Sequence, residues 1–510
     1  MPVVAGVDSS TQSCKVELRN LDDGELLGRG AAPHPPAFAP CSEQQPADWW
    51  SAFELAFTQA LATAGISSTE VVAMSFAAQC HGLVALDADD VVIRPAKLWN
   101  DTTSAPQLER LRLEIGEQQW ISSVGSLPTA AFTLSKLAWF AEQEPEGFTR
   151  LARVCLPHDW LTLQMTGEHV TDRSEASGTG YYSSTQNRYL DEYLHLIDPH
   201  RSWSTTFPRV LGPDQPAGTV TPAVARRLGL RPDLLVGAGG GDQHAGALGL
   251  AVEPGDVVFT IGTSGVVYTV SAEPVFDRTG LVDGVADMTG GYLPLSSTLN
   301  AARVTDWAAR ILGVDHSELA RLALSVDPGG APVMAAFLDG ERKPNRPEAT
   351  GLFAGLTAAT SREDLARAAH DGVLLGLLRG ERSMNAAGVT TSGRVLLTGG
   401  GSRSPAYRQI LADLTGRDVL LADPADADEA TARGAAIQAA AVAAGRPVDH
   451  VCRDWAPATQ VVATPRRNTS GLLDWLLDRY LAVADWDGFD GQGRAAPPPR
   501  SVAGIAIDAQ

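Results

Sequence analysis

The sequence predicts an α/β protein built as two related halves, and three observations carry that prediction. Apolar β-like runs alternate along the chain with segments whose apolar residues recur at helical spacing. A strand–turn–strand unit occurs twice, once at the N-terminus and again at 256–270, DVVFTIGTSGVVYTV. The 510 residues exceed what a single core organises, so two or three domains are expected.

In chain order, the first unit consists of apolar runs at Val3–Val7 and Cys14–Leu18, joined by the polar turn Asp8-Ser9-Ser10-Thr11-Gln12-Ser13. A third run near Glu25–Gly30 follows the turn-forming Asp22-Asp23-Gly24. The spacing predicts a helix over 46–64, PADWWSAFELAFTQALATA, stopped by Gly65, and then a strand over Val71–Ala77. A further strand-like run covers Val91–Leu98. The halves meet near 248–255, where Pro254-Gly255 makes a break. Long Ala-rich helices are expected at 361–387 and 428–444. The predicted domains are 1–250 and 251–484, followed by a poorly ordered Gly/Pro-rich tail at 485–510.

Bulk properties exclude several function classes. Hydrophobic residues make up 44% and charged residues 20%, as in globular proteins rather than disordered or fibrous ones. Sixty acidic against forty basic residues leave a formal charge of −20, a field that repels a phosphate backbone, so no nucleic-acid partner is expected. Five scattered cysteines without a Cys-x-x-Cys pair argue against a disulfide framework or structural zinc, and suit a reducing compartment. No signal-like N-terminus and no apolar stretch of the roughly 18 residues needed to cross a bilayer is present, so the expected location is cytoplasmic, with no membrane partner.

Chemistry concentrates at strand ends. In the turn Asp8 to Lys15, backbone N–H groups and the hydroxyls of Ser10, Thr11 and Ser13 face one concavity suited to phosphate oxygens. Asp8 there can hold Mg²⁺ through water, and Lys15 can offset phosphate charge. An ordinary polar hairpin is the competing reading. Gly262, Thr263 and Ser264 repeat the arrangement in the second half. At Gly239-Gly240-Gly241-Asp242-Gln243, a strand runs into three glycines and then an acid. Asp242 reads either as a helix N-cap or as a general base beside a glycine-lined cleft. Gly399, Gly400, Gly401 and Ser402 form another strand-to-helix turn, one at which bare backbone can meet a nucleotide. Strand-end Cys80, His81, Trp99, Asn100 and Asp101 offer directional hydrogen bonds and an apolar face to a polyhydroxylated ligand. Asn100 and Asp101 read equally as caps of a helix beginning near Ser104, His81 equally as a satisfied structural histidine, and Cys80 as a packing residue. No P-loop segment occurs.

Taken together, these segments resemble the FGGY carbohydrate kinases, and within that family those acting on D-xylulose. GVDSSTQSCK, EQQPADWW, QCHG, LWND, AFTLSKLAWF, LPHDWLTLQMTGE, GGGDQHAGA, IGTSG, DGERKPNRPEATGLFAGL and GGGSRSPAYRQILADLTG follow the family's order across residues 3–480. The resemblance implies a two-domain actin/hexokinase-type (ribonuclease H-like) fold, each domain a mixed sheet flanked by helices, with the active site in the interdomain cleft. It implies transfer of the ATP γ-phosphoryl group to the 5-hydroxyl of D-xylulose, with Mg²⁺.

Residue by residue, the resemblance makes Asp242 the catalytic base and Asp8 the acid near metal and γ-phosphate. Cys80, His81 and Gln243 become sugar contacts, and Gly399–Ser402 the adenine-side loop. Ser10 stands where the family has glycine, Cys80 where methionine is common, and Gln243 where asparagine is common; Ala131 and His370 break the family's signature patterns at single positions. The expected partners are a sugar and MgATP, and family dimers add a homodimer. Rival readings keep the fold with another acceptor (ribulose, gluconate, glycerol or a deoxy-ketose), or change class to a non-catalytic sensor or an actin-like ATPase.

Overall fold

The computed structural model describes residues 1–338, 340–423, 429–466 and 471–486. Beyond 486 the expected tail lies outside the described residues. The chain divides into two compact units. Met1–Pro254, Val270–Pro294 and Ala422–Ala458 form the first, and Gly255–Thr269, Leu295–Leu421 and Thr459–Gln510 the second. The first crossing falls at Pro254–Gly255, and two later segments return to the first unit, a pattern that no linear division expresses.

The first unit is organised by a mixed sheet in the order Pro216–Thr219, Leu235–Gly237, Val71–Ala78, Val3–Ser9, Ser13–Asn20, Leu26–Pro33. Val3–Ser9 pairs antiparallel with Ser13–Asn20, placing Asp8 opposite Lys15, and parallel with Val71–Ala78. The short strand Gly240–Gly241 pairs parallel with the end of Val71–Ala78. One face of the sheet is covered by the helix Pro46–Ala64, which buries Trp49, Phe53 and Phe57. The Ala430–Ala444 helix packs against Val4, Ala73 and Ala77 and is apolar nearly all round, as a helix enclosed by a core must be.

That helix crosses the helix Asp242–Gly249 at glycine. A Cβ added at Gly434 would lie 1.8 Å from the Ala245 carbonyl oxygen, and one at Gly249 would lie 1.9 Å from that of Ala430. Gln438, fully buried on the same helix, accepts from Gly239 N–H (2.9 Å) and Ser75 Oγ (2.5 Å) and donates to the Gly239 carbonyl (3.2 Å). The glycine run is therefore pinned by side-chain amide pairing rather than by its own bulk.

A second seven-stranded sheet repeats the plan, with order Asp283–Ala286, Tyr292–Thr298, Gly265–Tyr268, Val257–Ile261, Val395–Thr398, Val419–Ala422, Thr459–Ala463. Its hairpin strand Val257–Ile261 is antiparallel to Gly265–Tyr268 and parallel to Val395–Thr398, as in the first sheet. The Arg362–Ala386 helix starts on a capping box between Ser361 and Asp364.

Two local expectations change. Of the run Val91–Leu98 only Ala96–Lys97 is a strand. Gly241, not Asp242, is the N-cap of its helix, and Asp242 opens the helix at its first position. No helix among the described residues is long and apolar enough to cross a membrane.

Candidate active site

Three neighbouring parallel strands of the first unit, Val3–Ser9, Val71–Ala78 and Gly240–Gly241, end at one edge of the sheet. Their carboxyl ends deliver Asp8, Cys80–His81 and Asp242, the usual location of ligand chemistry in such sheets. The Cys80 thiol donates to Asp242 Oδ1 at 3.3 Å, and the Gln243 N–H donates to the same oxygen at 2.8 Å. Burial raises the pKa of Asp242, while these two donors oppose the rise. Burial pushes Asp8 up to about 7, against the Ser10 hydroxyl and the Lys15 ammonium, which lower it, and with Asp242 and Glu429, which raise it. Asp8 thus senses the charge of Asp242.

Ser10 donates to the Asp8 carboxylate. Positive φ among described non-glycine residues occurs at His81, Asp90, Asn187 and Ala251 only, so serine in place of a loop glycine costs no left-handed backbone here. Thr11 is held by Trp99, whose Nε1 donates to its Oγ1 (2.8 Å), and by Gln44, whose amide donates to its carbonyl (3.0 Å). Ser13 opens the return strand, and Lys15 pairs with Glu429 at 2.7 Å. Asn100 Oδ1 is buried without a protein partner, an acceptor left for a ligand hydroxyl. Asp101 is fully buried and committed to its own loop. It accepts from Ser42 N (2.9 Å), Lys97 Nζ (3.0 Å) and Thr103 N (3.0 Å), and it neither caps the helix beginning at Ala105 nor turns toward a cap role.

His81 has φ 63°, a strained value for a non-glycine residue, and the surroundings over-determine it. Its N–H donates to Glu175, and its carbonyl accepts from Lys136 Nζ (3.0 Å) and Thr133 Oγ1 (3.1 Å). Its ring stacks on Phe132 with centroids 4.9 Å apart, and Nδ1 lies 3.6 Å from Glu175 Oε1. Burial pushes Glu175 up to about 8, despite Cys80, the His81 N–H and His158, so its carboxyl is largely protonated at neutral pH. Burial lowers Lys136 to about 7. Beneath them, burial alone would lower His158, but Asp159 and Asp172, 3.2 and 3.4 Å away, raise it to about 9.

Sequence reasoning missed Glu175, Lys136, Thr133 and Phe132 as supports of His81. Lys136 sat inside the recognised AFTLSKLAWF segment, and a buried lysine there was its available signal; Glu175 carried none, because its partner lies 94 positions away.

The second unit carries the other predicted groups. The turn Gly262–Ser264 closes with Gly262 N–H on the Ser264 carbonyl (3.0 Å), and the exposed Thr263 side chain projects from it. Gly399 adopts φ 77° before a short 3₁₀ turn, Gly400–Arg403, and Ser404 then caps the helix Pro405–Thr415. Gly400 and Gly401 line a cavity of about 480 Å³ together with Ala302, Thr305, His370 and Tyr407, where bare backbone and a helix start meet open space. His370, held down to about 4 by burial, is neutral against the Tyr407 ring.

Two family models cover the chain: the N-terminal domain of the FGGY family of carbohydrate kinases matches residues 3–249 and its C-terminal domain 257–443. A xylulose kinase of Streptomyces coelicolor is 41% identical over 494 residues, spanning 94% of this chain and 98% of that one. One from Streptomyces rubiginosus is 40% identical, covering 93% and 95%. The crystal structure of xylulose kinase from Bifidobacterium adolescentis superposes with a TM-score of 0.83 at 37% identity, over 94% of this chain and 98% of that one. The paired α/β sheets, the acid-bearing strand ends and these matches together make the chain a sugar-phosphorylating enzyme of the FGGY family of carbohydrate kinases.

Proposed function

We propose that the enzyme transfers the γ-phosphoryl group of ATP to the 5-hydroxyl of D-xylulose, with Asp242 as the base. The observation that carries this reading is the meeting of Asp242, Cys80–His81 and Asp8 at adjoining strand ends, in a chain about 40% identical to named xylulose kinases. The sugar is held by His81, Cys80, Trp99, Asn100 and Gln243, with Asp101 fixing the loop that carries Trp99 and Asn100. The phosphate-contacting groups are Ser10, Thr11, Ser13 and Lys15 in the first unit and Gly262, Thr263 and Ser264 in the second; Gly399–Ser402 serve the adenine.

Asp8 suits a hard divalent cation. It is a buried carboxylate whose ionised form is disfavoured by desolvation, a cost that a cation's charge removes. When bound, Mg²⁺ supplies neutralisation of phosphate charge there. In the transfer, the acceptor oxygen forms the new P–O bond as the bond from phosphorus to the ADP oxygen breaks, and the hydroxyl proton passes to Asp242. Such transition states are loose, so most of the acceleration comes from positioning and charge neutralisation. Cys80 keeps Asp242 in its acceptor form by donating to Oδ1, and the stacked, over-determined His81 fixes the sugar's orientation.

A coupled assay of ADP release over D-xylulose, ribulose, gluconate, glycerol and a deoxy-ketose tests the proposal. D-xylulose is expected to give the highest kcat/KM. Faster turnover with another acceptor overturns the substrate, and ADP release indifferent to every sugar overturns the kinase reading.

A further inference from the structure

Cys80 belongs to a cluster whose other polar atoms, Glu175 Oε2 and the two His244 ring nitrogens, have no task in phosphoryl transfer. The Cys80 sulfur, a Glu175 carboxylate oxygen and a His244 ring nitrogen all lie within 4.8 Å of one another. Glu175 and His244 are buried, at 0% and 3% exposure, and Cys80 is half-buried. Glu175 Oε2 and both His244 nitrogens have no hydrogen-bond partner, an unusual outcome for buried polar atoms and a costly one.

The three groups converge on space left by a glycine. A side-chain carbon placed at Gly241 would lie 2.4 Å from Glu175 Oε2, 2.5 Å from His244 Nδ1 and 2.7 Å from Cys80 Sγ. Zinc binds nitrogen and oxygen at about 2.0–2.2 Å and sulfur at about 2.3 Å, so three donor atoms within 4.8 Å of one another form a set compact enough for one ion.

We infer that Cys80, Glu175 and His244 form a binding site for Zn²⁺ or a similar borderline-soft divalent ion. The donor set is one thiolate, one carboxylate and one neutral imidazole, the mixture zinc prefers and Mg²⁺ does not. Thiolate and carboxylate together balance the ion's two charges, which permits its burial. Three protein ligands leave one position of a tetrahedron for water or a ligand oxygen. Binding releases the thiol proton of Cys80 and the proton that Glu175 carries at neutral pH to solvent, so Cys80 no longer donates to Asp242. Micromolar zinc is therefore an inhibitor of phosphoryl transfer, a consequence that rests on Asp242 being the base; the binding itself does not.

Titration of the full-length protein with Co²⁺, followed by optical spectroscopy, tests the site without reference to activity. One equivalent is expected to produce a thiolate-to-cobalt charge-transfer band and tetrahedral d–d bands, both abolished by Zn²⁺. Cys80→Ser should lose the charge-transfer band, and the isosteric Glu175→Gln should lower the affinity, while Cys41→Ser should change nothing. Circular dichroism confirms that each variant is folded. Zinc K-edge absorption of the unmodified protein should show one sulfur among nitrogen and oxygen neighbours, which keeps the test alive if a variant fails to fold. Absence of the band in wild type, its persistence in Cys80→Ser, or a sulfur-free zinc shell overturns the site. Loss of the band in Cys41→Ser instead moves binding to the exposed cluster of Cys41, Glu43 and Asp101 and overturns it equally. Confirmed metal binding without inhibition would leave the site standing and count against Asp242 as the base.

Discussion

Asp242 accepts from the Cys80 thiol and from the Gln243 N–H, and burial, opposed by these two donors, sets how it titrates. Replacement by Asn keeps the shape and removes the proton acceptor, so kcat is expected to fall by about 10²–10⁴, measured by coupled ADP release, with substrate binding retained. Because burial raises the Asp242 pKa and the Cys80 thiol lowers it, the acid limb of kcat/KM should lie above the ordinary carboxylate range. Cys80→Ala removes a donor to the carboxylate and should move that limb to higher pH; a limb that stays or falls would deny the coupling. Asp8 carries the opposite lesson about stability. Its folded pKa, about 7, exceeds the unfolded value near 3.8, so the native chain binds more protons between those limits and stability falls as pH rises through them. Asp8→Asn should therefore be more stable than wild type at pH 8, by on the order of a few kcal/mol, while losing turnover. Thermal melts at pH 5 and pH 8 should show the gap widening with pH. The sequence pointed to Asp8, Cys80, His81 and Asp242 because each ends a strand or sits beside glycine. It was silent on Glu175 and Gln438, whose meaning comes from partners 94 and 199 positions away.

The helices that carry or brace these side chains explain their precision. Asp242 begins the helix Asp242–Gly249, and that helix lies against Ala430–Ala444 through Gly249 and Gly434. Gly434→Ala would set a methyl 1.8 Å from the Ala245 carbonyl oxygen, so the two helices must separate. A destabilisation of about 1–3 kcal/mol is expected, with a fall in kcat as Asp242 is displaced. Denaturant titration and kinetics on the same preparation check both; an unchanged kcat would mean that the helix start does not depend on this crossing. Helices at 46–64, 361–387 and 428–444 were legible from periodicity and stop signals, within the residue or two by which helix ends are uncertain. The run Val91–Leu98 was not, because Val91 is exposed, Val92 forms only an isolated bridge to Leu86, and only Ala96–Lys97 pairs as a strand. Asp101 was read as a sugar contact or a cap, and Lys97 claims it instead. Such a pairing is invisible locally, since it depends on both side chains being withdrawn from water together.

Taken as a whole, the molecule repeats one plan, an antiparallel hairpin beside a parallel strand, once in each of its two units. The functional division should follow. His81→Ala, in the first unit, is expected to raise KM for the sugar by about tenfold, the effect of a lost buried hydrogen bond, with KM for ATP little changed. Ser402→Pro, in the glycine turn of the second, should do the reverse by denying that turn its Ser402 N–H bond to the Gly399 carbonyl. Initial-rate kinetics varying each substrate at saturation of the other separates the two, and a sugar-side effect from Ser402 would overturn the assignment.

The sequence by itself determined the α/β class, the repeated hairpins, the absence of a P-loop and the acids at strand ends, because each is written in contiguous residues: alternation, glycine runs and turn chemistry. Tertiary structure alone decided what those acids feel. The raised pKa values of Asp8 and Glu175, the thiol on Asp242, the braced left-handed His81 and the convergence of Cys80, Glu175 and His244 all arise from removing water around groups that the chain brings together from distant positions, and desolvation has no local signature in an amino-acid string.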